Sequence, residues 1–366
     1  MSNLKDTAYL NMAYGLAEKA KGRASPNPYV GAVVVANDRI AGCGYHEGPG
    51  KDHAEIIAFE KAGRLSKNST LYVTLEPCVH WGRTPPCADR ILQVRPKRIV
   101  VSALDPNPLV YRKGIKKIKD AGIEVSVGLL REKNNRLNEA YLKYITQKIP
   151  FLTLKAAISL DGKLATKKFD SRWISSAQSR EYAHLLRGEY DALMVGINTV
   201  LYDDPMLTVR HAHWTGKTIR RIILDSHLRL PLTAKILATS SRGQITVFCK
   251  NDASPKKRNS LEKRWVEVVP LLNSSRRIDL KEVLSWLGKR EISSVLVEGG
   301  EKLSTALLEE SLVDKVYLVF SPKFIGGKDA VSLFAGEGAG YIQDSLRLKK
   351  IHSFPLDEDI IMEGYF

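Results

Sequence analysis

The chain has 366 residues, 44% hydrophobic and 26% charged, with 56 Lys and Arg against 40 Asp and Glu for a net charge of +16. At about 150 residues per domain the length suggests two domains, and the ordinary composition excludes disorder, collagen and a disulfide-dense miniprotein. No run of about 18 apolar residues predicts a membrane span, and the charge-broken N-terminal stretch does not read as a secretory signal.

Leu4, Ala8, Met12 and Leu16 recur at helical spacing and predict an opening helix. Tyr29–Val35 and Arg39–Tyr45 read as strands. They are followed by a helix at Ala54–Leu65, a strand at Leu71–Leu75, a proline-rich loop at Pro77–Pro86 and a short helix near Ala88–Val94. A strand at Arg98–Leu104, a helix at Gly114–Ala121 and a strand at Glu124–Val127 complete the first half. The basic cluster from Arg112 to Lys119 falls in that helix and reads as a solvated face rather than a nucleic-acid stripe. Arg131–Lys148 predicts a bridging helix stopped by Pro150. The boundary is therefore placed near 146–150, giving domains of 1–147 and 148–366. The second half predicts strands at Phe151–Ile158, Ala192–Val195, Arg221–Asp225, Ile245–Cys249, Ser294–Val297, Lys315–Phe320 and Asp359–Phe366. Helices are predicted at Ser176–Arg187, Leu280–Gly288 and Lys302–Ser311. Alternating strands and helices imply two α/β domains, each with its own sheet.

Four cysteines, Cys43, Cys78, Cys87 and Cys249, are few for this length. They suggest a reducing, cytoplasmic setting, where paired cysteines more often mean metal than disulfide. Cys43 and Cys249 have no partner spacing and read as core thiols. His53-Ala54-Glu55, followed by Pro77-Cys78 and Cys87, offers one imidazole and two thiolates, a donor set suited to Zn²⁺. Three protein ligands leave a fourth position for a water whose pKa the metal lowers. Glu55 is placed to carry that water's proton to a leaving amine. The H-x-E…P-C-x-x-C pattern of zinc deaminases is matched in its first half, but eight residues rather than two separate Cys78 from Cys87. The alternative is a structural zinc site with His46 or His80 as fourth ligand.

The runs Asn27-Pro28-Tyr29-Val30-Gly31, His46-Glu47-Gly48-Pro49-Gly50, His53-Ala54-Glu55, Thr74-Leu75-Glu76-Pro77-Cys78, Gly82-Arg83-Thr84-Pro85-Pro86-Cys87 and Asp105-Pro106-Asn107-Pro108 closely resemble the bifunctional riboflavin-biosynthesis deaminase/reductase family. The long loop between the cysteines is that family's variant. The resemblance implies a cytidine-deaminase-like α/β/α domain that removes an amino group from 2,5-diamino-6-(5-phosphoribosylamino)pyrimidin-4-one. It implies Asn27, His46, His80, Arg83 and Asn107 as substrate contacts, with Arg83 placed for phosphate. One departure is Tyr111-Arg112-Lys113-Gly114, where the family usually has a glycine pair.

The second half has no G-x-G-x-x-G after a strand, so a Rossmann site is not supported. Glu298-Gly299-Gly300 at a strand-to-helix turn would let backbone N–H groups approach a diphosphate. Segments around Leu154-Lys155, Ser159-Leu160-Asp161-Gly162-Lys163, Ser171-Arg172-Trp173-Ile174-Ser175, Asn198 to Arg210, Asp225-Ser226 and Glu298-Gly299-Gly300 resemble the same family's reductase half. They imply a dihydrofolate-reductase-like α/β domain using NADPH. Ala157, Trp173, Thr199, Asp203, Ser226 and Gly300 are implied cofactor contacts. Ser171, Arg187, Leu207, Arg210 and Glu298 are implied substrate contacts, with Arg187 and Arg210 suited to a phosphate. Here Phe169-Asp170 replaces a frequent glycine. Reduction of the ribosyl side chain to ribityl needs an acid, and Lys155 and Glu298 are the candidates. The expected protein is a bifunctional enzyme with one Zn²⁺ per chain, NADPH and phosphorylated pyrimidine substrates. It is expected to be a homo-oligomer without nucleic-acid or membrane partners. A nucleic-acid base deaminase and a zinc-stabilised interaction protein are the rival readings.

Overall fold

A computed structural model describes residues 2–211, 214, 216–239, 241, 243–272 and 277–366. The chain divides into two compact units, Met1–Lys148 and Ile149–Phe366. The first contains α1 (Ser2–Ala17), β1 (Gly31–Ala36), β2 (Arg39–Tyr45), α2 (Ala54–Ala62), β3 (Thr70–Leu75) and α3 (Cys87–Val94). It continues with β4 (Arg98–Ala103), α4 (Lys113–Asp120), β5 (Glu124–Val127), α5 (Arg131–Leu137) and α6 (Glu139–Gln147).

Its sheet runs β2-β1-β3-β4-β5, antiparallel around β1 and parallel from β3 onward. Strand β1 is apolar on both faces, as a strand covered from both sides must be. Ala32 and Val34 pack with Ala54, Ala58 and Phe59 of α2 and with Ile91 and Ile118. Val33 and Val35 pack with Leu10 and Ala13 of α1.

The opening helix forms as expected, but it buries a different face. Leu10, Ala13, Tyr14 and Ala17 are fully buried, while Leu4 is 78% exposed and Met12 also faces solvent. The cause lies across the chain, at Gly31. A Cβ there would sit 1.9 Å from the Ala13 carbonyl oxygen, so α1 closes on β1 through its small residues. Tyr14 then reaches Ser102 Oγ at 2.6 Å. The expected helix over 131–148 is two helices. They meet at Asn138, whose backbone leaves helical geometry (φ −105°, ψ 20°) and whose side chain is tied across the chain: Oδ1 accepts from Tyr29 N (2.7 Å), and Nδ2 donates to Tyr29 O (3.1 Å) and Asn134 Oδ1 (3.0 Å). The basic residues of α4 form a solvated face, Lys116 pairing with Asp120 and Lys117 with Asp89.

The second unit contains β6 (Phe151–Ser159), β7 (Lys163–Ala165), α7 (Ala177–Glu189), β8 (Ala192–Gly196), α8 (Ile197–Asp203) and β9 (Arg220–Leu224). Then come α9 (Lys235–Ala238), β10 (Ile245–Lys250), α10 (Pro255–Glu262), β11 (Val266–Leu271), α11 (Leu280–Gly288) and β12 (Ser294–Val297). It ends with α12 (Glu301–Glu309), β13 (Lys315–Ser321), β14 (Val331–Ser332), β15 (Lys349–Leu356) and β16 (Asp359–Tyr365). Nine strands form one sheet, ordered β11-β10-β9-β8-β12-β6-β13-β16-β15, and β14 pairs with β7. The first seven strands of that order are parallel, and the last two joins are antiparallel. Separate apolar clusters cover its two faces. Strands β11 and β15 were not expected from the sequence. Each contains a proline, Pro270 or Pro355, and each is tolerated because it lies at a sheet edge.

Candidate active sites

In the first unit, two helix N-termini meet the turn after β3. His53 is the N-cap of α2, with Glu55 in its first turn, and Cys87 opens α3. Cys78 lies just past β3, and the Cys87 N–H donates to its Sγ at 3.3 Å. His53 Nδ1 is 2.8 Å from Cys87 Sγ and 3.6 Å from Cys78 Sγ. The three donor atoms lie within 4.8 Å of one another. The hydrogen bond from Cys87, assisted by His53, holds the Cys78 thiol down at about 4 despite its burial. Helix N-termini favour the thiolate in the same direction. One inward nitrogen and two sulfurs fit Zn²⁺.

His46 is not a fourth ligand. Its Nδ1–H donates to the Asp52 carbonyl (3.1 Å) and Nε2 accepts from Asn27 Nδ2 (2.9 Å). Burial pushes it further toward this neutral form. Glu55 is 3% exposed and outside the three-donor cluster, and burial raises its carboxyl. A carboxyl raised in this way suits a group that accepts a proton and then returns it.

The neighbouring loops bring the other expected residues to the same end of the sheet. His80 follows Cys78 closely, and its Nδ1 is buried with no hydrogen-bond partner. Arg83 is exposed on the same loop. Asn107 is held in a turn, its N–H on Asp105 Oδ1 (2.9 Å) and its Oδ1 accepting from Leu109 N (3.1 Å).

Three supporting residues escaped the sequence reading. Glu76, just before Pro77-Cys78, accepts from Arg112 N (3.0 Å) and Ile115 N (3.2 Å), which ties the start of α4 to the cysteine turn. Its position inside a Glu-Pro-Cys run was the available signal. Tyr141 donates to the Asp105 carboxylate at 2.9 Å. Thr84 Oγ1 lies 3.2 Å from His53 Nε2 and accepts its N–H, which keeps Nδ1 turned toward the sulfurs. Removing such an outer partner costs roughly 10- to 100-fold in metal affinity. Thr84→Val is therefore expected to lose zinc to a competing chelator at correspondingly lower concentration. Unchanged zinc affinity would show that the ring is oriented without Thr84.

The second unit gathers its residues past the carboxyl ends of parallel strands, where open α/β sheets bind ligands. Thr199 and Asp203 are on α8 after β8, Ser226 follows β9, and Glu298 and Gly300 follow β12. A Cβ built on Gly300 would meet nothing within 4 Å, so the N-terminus of α12 opens onto clear space. That opening fits a diphosphate. Lys155 and Ala157 alternate onto one face of β6. Leu207 has its side chain buried in the core, so only its backbone is available to a ligand.

Arg187 on α7 grips Glu298 with both arms, Nε to Oε1 at 2.8 Å and Nη2 to Oε2 at 2.6 Å. The pair bears on two expectations. The Arg187 fork is spent on a carboxylate and does not face a phosphate bidentately. Glu298, which burial alone would raise, is held at about 2 by Arg187 and Lys155, so it has no proton to donate at neutral pH. Lys155 remains as the candidate acid; burial lowers its ammonium and Glu298 opposes that. His184 was missed. Its Nδ1 accepts from Arg210 N (3.2 Å), and Arg210 Nη2 lies 3.3 Å from its Nε2. Burial and the two arginines push it down to about 4, so it is neutral.

Residues 4–103 match the model of the cytidine and deoxycytidylate deaminase zinc-binding region, and residues 150–362 match the RibD C-terminal domain. The chain is 45% identical to the riboflavin biosynthesis protein RibD of Aquifex aeolicus, over 98% of this chain and 97% of that protein. The chain belongs to the RibD family. RibD of Escherichia coli is 36% identical over 94% of this chain and 95% of its own length. The RibD structure from Acinetobacter baumannii superposes with a TM-score of 0.89 at 36% identity, covering 99% of both chains. The chain is accordingly a bifunctional deaminase/reductase of riboflavin biosynthesis, with a zinc-binding cytidine-deaminase-like domain and an NADPH-dependent RibD-type reductase domain. Two positions singled out in the sequence share a backbone feature. Arg112 and Phe169 stand at φ +60° and +62°, so the left-handed conformation is adopted there by residues other than glycine.

Proposed function

We propose that residues 1–147 carry out hydrolytic deamination and residues 148–366 the reduction that follows. The Thermotoga maritima relative, with a TM-score of 0.87 and 34% identity, is described as a diaminohydroxyphosphoribosylaminopyrimidine deaminase and 5-amino-6-(5-phosphoribosylamino)uracil reductase. The same two phosphorylated pyrimidines are the proposed substrates here. The observation that carries the reading is the convergence of His53, Cys78 and Cys87 with buried Glu55 standing outside their donor set.

His53, Cys78 and Cys87 would hold the zinc, which would make a nucleophilic water available at neutral pH. Glu55 takes a proton from that water and delivers it to the departing amine. Asn27, His46, His80 and Asn107 orient the pyrimidine, and Arg83 receives the phosphate. In the reductase half, bound NADPH would supply the hydride. Ring opening of the ribosylamine gives a C=N imine, and Lys155 protonates its nitrogen, which makes the attached carbon electrophilic and able to accept the hydride. Glu298 opposes the loss of charge that burial imposes on Lys155, and Arg187 fixes Glu298. Arg210 reaches the phosphate, with Ser171 and the Leu207 backbone beside it. Ala157, Trp173, Thr199, Asp203, Ser226 and Gly300 receive the cofactor. Four free cysteines suit a cytoplasmic setting, and among the described residues no helix is long and apolar enough to cross a membrane.

Metal removal tests the division of labour. Chelator-treated protein is expected to lose ammonia release while still oxidising NADPH when given the deaminated intermediate. Zinc restores ammonia release. Simultaneous loss of both activities in protein that keeps its fold would contradict independent sites.

A further inference from the structure

Two large aromatic side chains of the second unit stand in solvent and touch each other. The rings of Phe169 and Tyr202 stack at 4.8 Å with only 7° between their planes, although they are 53% and 61% exposed. Phe169 belongs to the loop between β7 and α7 and has a φ of +62°, a conformation unfavourable for a residue with a Cβ. Tyr202 is on the last turn of α8. A second attachment lies close by. Arg172 Nη2 donates at 2.6 Å to the carbonyl of Asp203, one of the helix-end oxygens without an intrahelical partner. Next to Arg172, Trp173 lies under the Arg180 guanidinium, 4.4 Å from its ring centroid. The loop is thus pinned to α8 by one ring stack and one charged hydrogen bond, on either side of Asp170 and Ser171.

We propose that Phe169 and Tyr202 form a positioning clamp that holds the 169–173 segment against α8 in the arrangement that receives NADPH. The clamp rests on the proposed cofactor contacts of Trp173, Thr199 and Asp203. It does not include Lys155, the proposed acid, so it sets the fraction of molecules ready to bind and therefore the apparent affinity. Stacked aromatic pairs contribute beyond simple burial, and an exposed pair gains little by burial alone.

The test uses the purified full-length chain and measures NADPH dissociation constants by fluorescence without pyrimidine. Phe169→Gly removes the ring and suits the left-handed backbone, and Tyr202→Ala removes the other ring. Each is expected to weaken NADPH binding roughly 2- to 10-fold, and the double variant to be little worse than either single. Tyr202→Phe retains wild-type affinity. The rate at saturating NADPH stays within about twofold, so the effect falls on KM. Trypsin cuts faster after Lys167, Lys168 and Arg172 in both ring variants, and saturating NADPH restores protection. Retained reduction at saturating NADPH shows that the second unit of each variant is folded. Trp173→Ala and Thr199→Val separate the two ideas. If these weaken NADPH binding and the ring variants do not, the clamp is refuted while the contacts stand. If none of the four changes the dissociation constant, the cofactor contacts fail and the clamp with them.

Discussion

Glu55→Gln is expected to slow deamination by roughly 10²- to 10⁴-fold, the usual contribution of a positioned acid–base group, while the protein keeps about one Zn²⁺ per chain. The expectation follows from place rather than from type alone. Glu55 sits two residues beyond His53 in the first turn of α2, buried but not one of the three clustered donors. Glutamine matches its shape and can still accept a hydrogen bond, but it cannot hold the proton that must travel from water to amine. It also introduces no buried charge, so the fold is retained. Ammonia release at the normal rate would remove Glu55 from the mechanism. Loss of the metal together with activity would make its role structural. NADPH oxidation with the deaminated intermediate is expected to be unaffected, since the reductase residues belong to the other unit.

The second large effect concerns Lys155 and its counter-ion. Lys155→Gln removes the proposed proton donor and leaves the Arg187–Glu298 pair intact. Reduction is expected to fall by roughly 10²- to 10⁴-fold with deamination unchanged. Glu298→Gln acts differently, because it strips the carboxylate from two cations at once. Breaking a largely buried pair costs about 3–5 kcal/mol, so its unfolding midpoint is expected to drop, which Lys155→Gln should not reproduce. Its pH profile separates stability from chemistry. Glu298 supports the charged form of Lys155; without it the ammonium loses its proton at lower pH. The alkaline fall of the reductase rate is therefore expected to begin at lower pH in the protein that remains folded. A profile displaced the other way would rule out Lys155 as the acid.

The metal cluster was legible because its ligands come from short motifs at helix starts. His-Ala-Glu and Pro-Cys carry their chemistry locally, whatever else the fold does. Most β-strands and long helices were legible for a similar reason, their apolar patterns being strong. What escaped depends on distant partners. The buried face of α1 is decided by contact between Ala13 and Gly31. At the break, Asn138 is tied to Tyr29. Strands β11 and β15 contain prolines that argue against a strand, and only sheet order makes them edges. In the reductase site, both Arg187 and Glu298 were named from the sequence. Their mutual engagement is a property of the fold that no local motif announces. His184 and Thr84 act through other side chains, and no motif announces that.

One chain is proposed to perform deamination and reduction in sequence, at separate sites. Mass analysis of the phosphoribosyl diaminopyrimidine incubated with the purified protein tests it most directly. Without NADPH, the product is expected to show the exchange of an amino group for oxygen and no further change. With NADPH, that product is expected to gain two hydrogens. A two-hydrogen gain on undeaminated substrate, or no deamination until NADPH is added, would contradict the claim.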